Sequence, residues 1–187
     1  MGFLNKNFGL KTLVFGLLVS NAFFWQRLRA APGDLPGTSG PVQVFYSLQS
    51  HPNDQIIDLV RGSNAYVDFA VYTLTRSDIT DALIAAKLRG IAVRGILDFS
   101  QSSLASEKPQ IAKLKKYGIP LEIPQKQDQS LMHAKFVVTD SGYASGSYNW
   151  TTSATSYNDE VLEVGAAGPV SAQYRGIFET LWKKYAK

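Results

Sequence analysis

From Val42 onward, apolar positions switch between a period of two and a helical spacing, and that switching predicts strands interleaved with helices. Val42 to Tyr46 reads as a strand, Asp54 to Arg61 as a helix, and Tyr66 to Leu74 as a strand with Val67, Phe69 and Val71 on one face. A second helix is predicted from Ser77, a residue suited to an N-cap. Ile79, Leu83, Ala86 and Leu88 follow at helical spacing, and Gly90 sits where a C-terminal glycine stop belongs. Ile91 to Phe99 reads as a buried strand, Pro109 to Tyr117 as a helix stopped by Gly118, and Ile119 to Ile123 as a strand, completing a βαβαβ order. Val161 to Val164 reads as another apolar strand. Val170 to Tyr185 then puts Tyr174, Ile177, Phe178, Leu181 and Trp182 on one broad stripe, the pattern of a helix packed on a core.

The first 31 residues follow a different pattern. Lys6 and Lys11 precede a mostly apolar run from Thr12 to Trp25, and Gln26 to Ala31 restores polarity, so residues 1–31 are expected to be an export signal or a membrane anchor. The bulky Phe23-Phe24-Trp25 end matches a small-residue cleavage site poorly, the run is short for a bilayer span, and basic residues flank both ends. Both readings stay open, and with them a periplasmic, secreted or membrane-anchored location. Residues 32–41 hold three prolines and three glycines and read as a linker, leaving 42–187 as the catalytic domain.

Composition narrows the choices. With 187 residues and 45% hydrophobic content, the chain can bury one substantial core and is too short for two ordinary domains. Lys+Arg number 19 and Asp+Glu 15, but Lys6, Lys11, Arg27, Arg29 and Asp34 all precede residue 41, which leaves 15 against 14 in the domain. Much of the basic excess thus sits in the leader, which weakens the case for a broadly basic nucleic-acid surface, and any phosphate recognition must be local. The absence of cysteine excludes a disulfide framework and a thiolate zinc site.

Candidate chemistry lies between Leu131 and Val164. Leu131 to Asp140 looks like a strand, so a period of two puts His133, Lys135 and Val137 on one face and Ala134, Phe136 and Val138 on the other. An imidazole beside a fixed ammonium suits phosphate chemistry: the cation neutralises phosphoryl oxygens while the neutral ring attacks phosphorus. Gly146-Ser147-Tyr148-Asn149-Trp150 is a small-residue turn able to bring backbone N–H groups, the Ser147 hydroxyl and the Asn149 amide to an anion. Asn158 and Glu160 follow, and a Glu160 carboxylate within reach of His133 would orient the ring and stabilise its cationic form.

His-x-Lys-x4-Asp, then Gly-Ser-x-Asn, then Asn-x-Glu resembles the signature of the phospholipase D superfamily. The resemblance covers about Val42 to Tyr185 and is nearest to the short bacterial endonucleases of that superfamily with one signature per chain. Val71 to Thr75 with Asp78-Ile79, and Ala82 to Val93, look like that group's second strand and its helix; Gly146 to Thr152 is also similar to the mitochondrial cardiolipin hydrolases. The spacing from Asp140 to Gly146 is one residue shorter than is usual in the family.

The resemblance implies an α/β fold, a mixed, mostly parallel sheet flanked by helices, with one domain per chain. It implies His133 as a nucleophile forming a phosphohistidine, and Lys135 and Asn149 as phosphate holders. Ser147 and Glu160 would support the site, and Asp140 would fix local structure or polarise the histidine. It implies no cofactor and no metal, and Asp54, Asp58, Asp68, Asp78 and Asp98 are expected to be caps or solvated residues.

A covalent route also needs an acid for the leaving oxygen, and one histidine cannot easily do both. The other histidine, His51, lies in a His-Pro-Asn stretch without a matching lysine or Gly-Ser-x-Asn element, so a C2 homodimer sharing two His133 side chains is expected. The expected activity is a metal-independent phosphodiesterase, an endonuclease of low sequence specificity acting on DNA or RNA, with a phospholipase D or cardiolipin hydrolase as the alternative. Phospholipid, and membrane association through the N-terminal segment, belong to that alternative.

Overall fold

Short polar connections bring the predicted strands into one sheet in the computed structural model, which describes residues 42–124 and 131–186. Residues 1–41, which include the expected signal or anchor and the linker, lie outside the described residues. The chain runs β1 (Val42–Tyr46), α1 (Pro52–Arg61), β2 (Tyr66–Val71), α2 (Ser77–Leu88), β3 (Ala92–Leu97) and a one-turn helix α3 (Phe99–Ser102). It continues α4 (Lys108–Lys116), β4 (Leu121–Glu122), β5 (Lys135–Thr139), β6 (Gly142–Gly146), α5 (Thr152–Ser156), β7 (Val161–Ala166) and α6 (Pro169–Tyr185). The seven strands pair in the order β1-β7-β6-β5-β2-β3-β4.

The sheet is mixed and flanked by helices, but it is not mostly parallel. Only β2–β3 and β3–β4 are parallel, joined by the crossovers through α2 and α4. The other four pairings, β2–β5, β5–β6, β6–β7 and β1–β7, are antiparallel. For β5–β6 the physical reason is connection length. A parallel neighbour needs a crossover of a dozen or so residues, whereas β5 and β6 are joined by Asp140 and Ser141 alone.

One face of the sheet buries Val67, Phe69, Val71 and Val137 against Ile56 and Leu59 of α1, Ile79 and Leu83 of α2, and Leu114 of α4. The other face carries Ala70, Ile96, Phe136, Val138 and Tyr143 under α6, with Phe178 at its centre and Tyr174, Leu181 and Trp182 around it. Ile177, expected on that stripe, is 48% exposed, so the apolar stripe of α6 is narrower than its sequence suggests. Asp68 was expected to be solvated or a cap. It is instead buried under α6, where Arg94 makes two hydrogen bonds to it at 2.8 and 2.9 Å and Arg175 approaches to 3.9 Å. Arg94 in turn lies 4.9 Å from the Phe178 ring centroid and 5.2 Å from that of Trp182, so one guanidinium ties α6 to β2 and β3. At the start of α2 the N-cap is Arg76 rather than Ser77, and Asp78 accepts from the Ile79 N–H. Gly90, at φ 88°, provides the left-handed stop.

Register decides where chemistry can gather. Val71 faces Leu97 on β3 and Lys135 on β5, Gly146 faces Leu162, and Tyr46 faces Val161. The ends of β1, β2, β3 and β6 and the beginnings of β5 and β7 therefore share one edge of the sheet, the carboxyl edge of its parallel part, where α/β sheets bind ligands.

Candidate active site

Strand β5 begins at Lys135, and His133 lies on the irregular segment just before it, solvent-exposed at the carboxyl edge. Lys135 belongs to the helix-covered face shared with Val137 and is only 7% exposed. Its chain turns back toward the edge: Nζ donates to the His133 carbonyl at 2.9 Å and stands 3.3 Å from both imidazole nitrogens. Burial pushes the Lys135 ammonium below its usual range, and the nearby Glu160 carboxylate opposes that shift. The result is a partly desolvated cation fixed against an exposed imidazole, whose electrostatic effect on a phosphoryl group exceeds that of a solvated lysine.

Gly146 allows the second part of the site to form. A Cβ there would lie 2.0 Å from the Val161 carbonyl oxygen and 3.0 Å from its carbon, both backbone, so only glycine lets the end of β6 lie this close to the start of β7. That approach lets Ser147 N–H donate to Val161 O at 3.0 Å, while Ser147 Oγ donates to Glu160 at 2.5 Å and accepts from Val161 N–H at 3.1 Å. Glu160 also accepts from Asn158 Nδ2 at 3.3 Å, and its own N–H donates to Ser47 Oγ at 3.0 Å.

Beyond Ser147, Tyr148 and Trp150 are buried as anchors. Trp150 N–H donates to Thr73 O, and Trp150 O accepts from the N–H groups of Thr75 and Arg76. Asn149 is thus pinned between two buried aromatics beside the end of β2, and its Oδ1 is buried with no hydrogen-bond partner among the described residues. The residue as a whole is half-buried, and this oxygen is an acceptor that an O–H or N–H donor would satisfy.

The structure brings His133 and Lys135 together, and it brings Ser147 and Glu160 together. It does not bring Glu160 to His133: the carboxylate is spent on Ser147 and Asn158, and its influence reaches the site through Lys135. Asp140 is separated further. Seven residues of nearly extended chain, roughly 23 Å, put it at the opposite end of β5 from His133, where its carboxylate accepts from Asn64 N–H at 3.0 Å and Ala65 N–H at 3.1 Å. Of its two expected roles, fixing local structure is the one its contacts serve; polarising His133 is ruled out by distance.

His51 is the exposed N-cap of α1 and makes no side-chain cap hydrogen bond. No group of three or more His, Cys, Asp or Glu side chains among the described residues is placed to hold a metal ion.

Sequence reasoning missed the surroundings of the imidazole. Tyr72, one residue past β2, has its ring centroid 4.6 Å from that of His133, and Gln101 Nε2 donates to the Tyr72 hydroxyl at 3.0 Å. Asp98 caps α3 as expected, but it also accepts from Met132 N–H at 3.1 Å. A single aromatic after a strand and an Asp-Phe-Ser-Gln turn carry no local mark of this meeting. Their signal lies only in the strand order.

With this geometry in view, comparison with known proteins is specific at the level of family. A family model described as "Cardiolipin synthase, PLD-like domain" matches residues 56–182. A mitochondrial cardiolipin hydrolase of Chlamydomonas reinhardtii is 27% identical over 172 residues, which span 91% of this chain and 75% of that protein. One from Xenopus tropicalis is 30% identical over 120 residues, 64% of this chain and 55% of that protein, so the match spans little more than half of that relative. Among solved structures, Nuc from Salmonella typhimurium, a phospholipase D family member, has a TM-score of 0.70 at 24% identity and covers 76% of this chain and 93% of its own. NucT from Helicobacter pylori gives 0.67 at 21% identity, over 76% of this chain and 95% of its own.

Proposed function

We propose a function from the premise that this chain belongs to the phospholipase D superfamily: it is a metal-independent phosphodiesterase, an endonuclease of low sequence specificity that works through a phosphohistidine on His133. The observation that carries the reading is Lys135 Nζ, partly desolvated and 3.3 Å from both nitrogens of an exposed imidazole. A nitrogen of His133 attacks phosphorus, the bond from phosphorus to the leaving oxygen breaks, and that oxygen takes a proton from an acid. Water then gives a proton back to the same group and attacks phosphorus, breaking the P–N bond and releasing a phosphomonoester and free imidazole. Lys135 and the Asn149 amide hold the phosphoryl oxygens as charge builds on them. Ser147 and Glu160 hold the loop that carries Asn149.

The acid is assigned to His133 of a second copy. His51 caps α1 without a side-chain hydrogen bond there and has no ring contact with His133 among the described residues, and on this reading one chain supplies one imidazole to its site. Exposed apolar residues flank the groups that hold Glu160. Leu48 follows Ser47, Tyr157 (77% exposed) precedes Asn158, and Val161 follows Glu160. Apolar residues exposed beside the groups that hold Glu160 suit a symmetric contact between two copies. Co-assembly of wild-type and His133→Ala chains tests the sharing. Heterodimers are expected to retain far less than half of wild-type activity, and heterodimers at half activity would reject it.

Phospholipid is the second reading, favoured by the same apolar rim and by the cardiolipin hydrolases among the relatives. Offering the purified full chain plasmid DNA, single-stranded RNA and cardiolipin vesicles in EDTA separates the two. Cleavage of nucleic acid with vesicles untouched supports the nuclease; phosphatidic acid release with intact nucleic acid supports the alternative. Residues 1–31 are assigned to export or anchoring, and a fractionation that finds the chain in the cytosol would reject that assignment.

A further inference from the structure

We propose that Tyr72, held in place by the turn Asp98 to Gln101, positions the His133 imidazole for attack, a role that rests on His133 being the nucleophile. The need for such a device follows from the backbone. His133 lies on an irregular segment ahead of β5 and is exposed, so the sheet ladder alone does not choose its rotamer. Two supports reach it, one from the short segment after β3 and one from Tyr72 after β2, which that segment holds.

The first support acts on the main chain. Asp98 is buried; one carboxylate oxygen accepts from the N–H groups of Ser100 at 2.8 Å and Gln101 at 3.1 Å, and the other accepts from Met132 N–H at 3.1 Å. One side chain therefore caps α3 and fixes the residue immediately before His133. Met132 itself is buried among the residues packed under α6, so the backbone enters His133 from a fixed point.

The second support acts on the ring. The Tyr72 and His133 ring centroids are 4.6 Å apart with planes at 58°, a tilted aromatic contact, and Lys135 Nζ lies 5.2 Å from the Tyr72 centroid. Tyr72 cannot swing away freely, because its hydroxyl accepts from Gln101 Nε2 at 3.0 Å while Gln101 Oε1 accepts from Thr73 Oγ1 at 3.3 Å. Gln101 is in turn held by its N–H on Asp98. The tyrosine thus serves as a wall on the imidazole and exchanges no proton with it. A rotamer change at His133 moves the reacting nitrogen by an ångström or more, and misplacement on that scale costs on the order of 10²-fold in rate.

The test uses the full chain in mild detergent with a chromogenic phosphodiester, bis(p-nitrophenyl) phosphate, in EDTA, together with imidazole NMR. The chain holds two histidines, so the His133 and His51 resonances are separable. Tyr72→Leu is expected to lower kcat by about 10²-fold with KM within about twofold, and to move the His133 ring resonances while those of His51 stay. Tyr72→Phe and Gln101→Met each break the same hydrogen bond without opening a hole. Each should lower kcat several-fold, and the double variant should fall no further than the worse single, because contacts that share one bond are not additive. The isosteric pair carries the test if Tyr72→Leu fails to fold.

Unchanged kcat in Tyr72→Leu, a loss confined to KM, an unmoved His133 resonance, or fully multiplicative Tyr72→Phe and Gln101→Met effects would overturn the proposal. A fully active His133→Asn chain would overturn the nucleophile and the positioning role together. If the His133 resonances still move in Tyr72→Leu, that outcome would show a real contact with no catalytic purpose.

Discussion

Glu107, at the start of α4, is fully buried, with one carboxylate oxygen accepting from Leu74 N–H at 2.7 Å and the other without a partner among the described residues. Burial pushes this carboxyl from 4.5 up to about 7, the Leu74 N–H opposes the shift, and the Asp98 charge adds to it. Because the folded-state value is raised, the folded protein binds a proton that the unfolded chain releases between those two values. Stability from this group is therefore fully present below pH 4.5 and is lost as pH rises through about 7. At roughly 1.4 kcal/mol per pH unit, the loss between pH 5 and pH 8 is about 2 to 3 kcal/mol.

Glu107→Gln keeps an acceptor for Leu74 and removes the titration. Urea unfolding followed by tryptophan emission, which includes the buried Trp150, measures both proteins at several pH values. The wild-type advantage over Glu107→Gln at pH 5 is expected to shrink by about 2 to 3 kcal/mol by pH 8, on the order of 1 M in urea midpoint. A difference that stays flat, or that grows with pH, would refute the reasoning.

Three further outcomes are expected. Lys135→Ala should lower kcat/KM by about 10³-fold, since it removes a preorganised donor to the developing charge; a loss under tenfold, read with the same chromogenic ester, would remove Lys135 from the phosphate site. Gly146→Ala should destabilise by about 2 kcal/mol and lose most activity, because the added methyl meets the Val161 carbonyl and pries apart the contact that seats Ser147; an unchanged urea midpoint would contradict this. Arg94→Ala should cost about 3 kcal/mol of stability by leaving buried Asp68 with only the longer Arg175 contact, while kcat per folded molecule stays near wild type.

Much of the fold was legible because strand β2 and helices α1, α2, α4 and α6 carry strong periodicity and clear stops such as Gly90 and Gly118. The direction of the strands was not. The run from β1 to β4 reads as alternating elements, but β5 and β6 pair antiparallel because the two residues between them are too few for a crossover, β7 returns antiparallel beside β6, and β6 has too little apolar content to announce itself. Asp68 was illegible for a related reason. A charge on one face of a strand reads as solvent-facing until α6 covers it and Arg94 meets it. In the site, His133, Lys135, Ser147 and Asn149 were visible as a motif. Motif membership could not place Asp140, whose register puts it at the far end of β5, nor direct the Glu160 carboxylate to Ser147 in place of the imidazole. Tyr72, Gln101 and Asp98 meet at His133 only because β2, β3 and β5 are neighbours in the sheet.

The most direct measurement is a rapid alkaline quench of the full chain turning over bis(p-nitrophenyl) phosphate in EDTA, followed by peptide mass spectrometry. Turnover through this site requires a p-nitrophenyl phosphoryl group on the peptide carrying His133, formed without added metal and absent in His133→Asn. Steady turnover with no adduct on any histidine, an adduct on His51 in its place, or no turnover until a divalent metal is supplied would contradict His133 as the nucleophile.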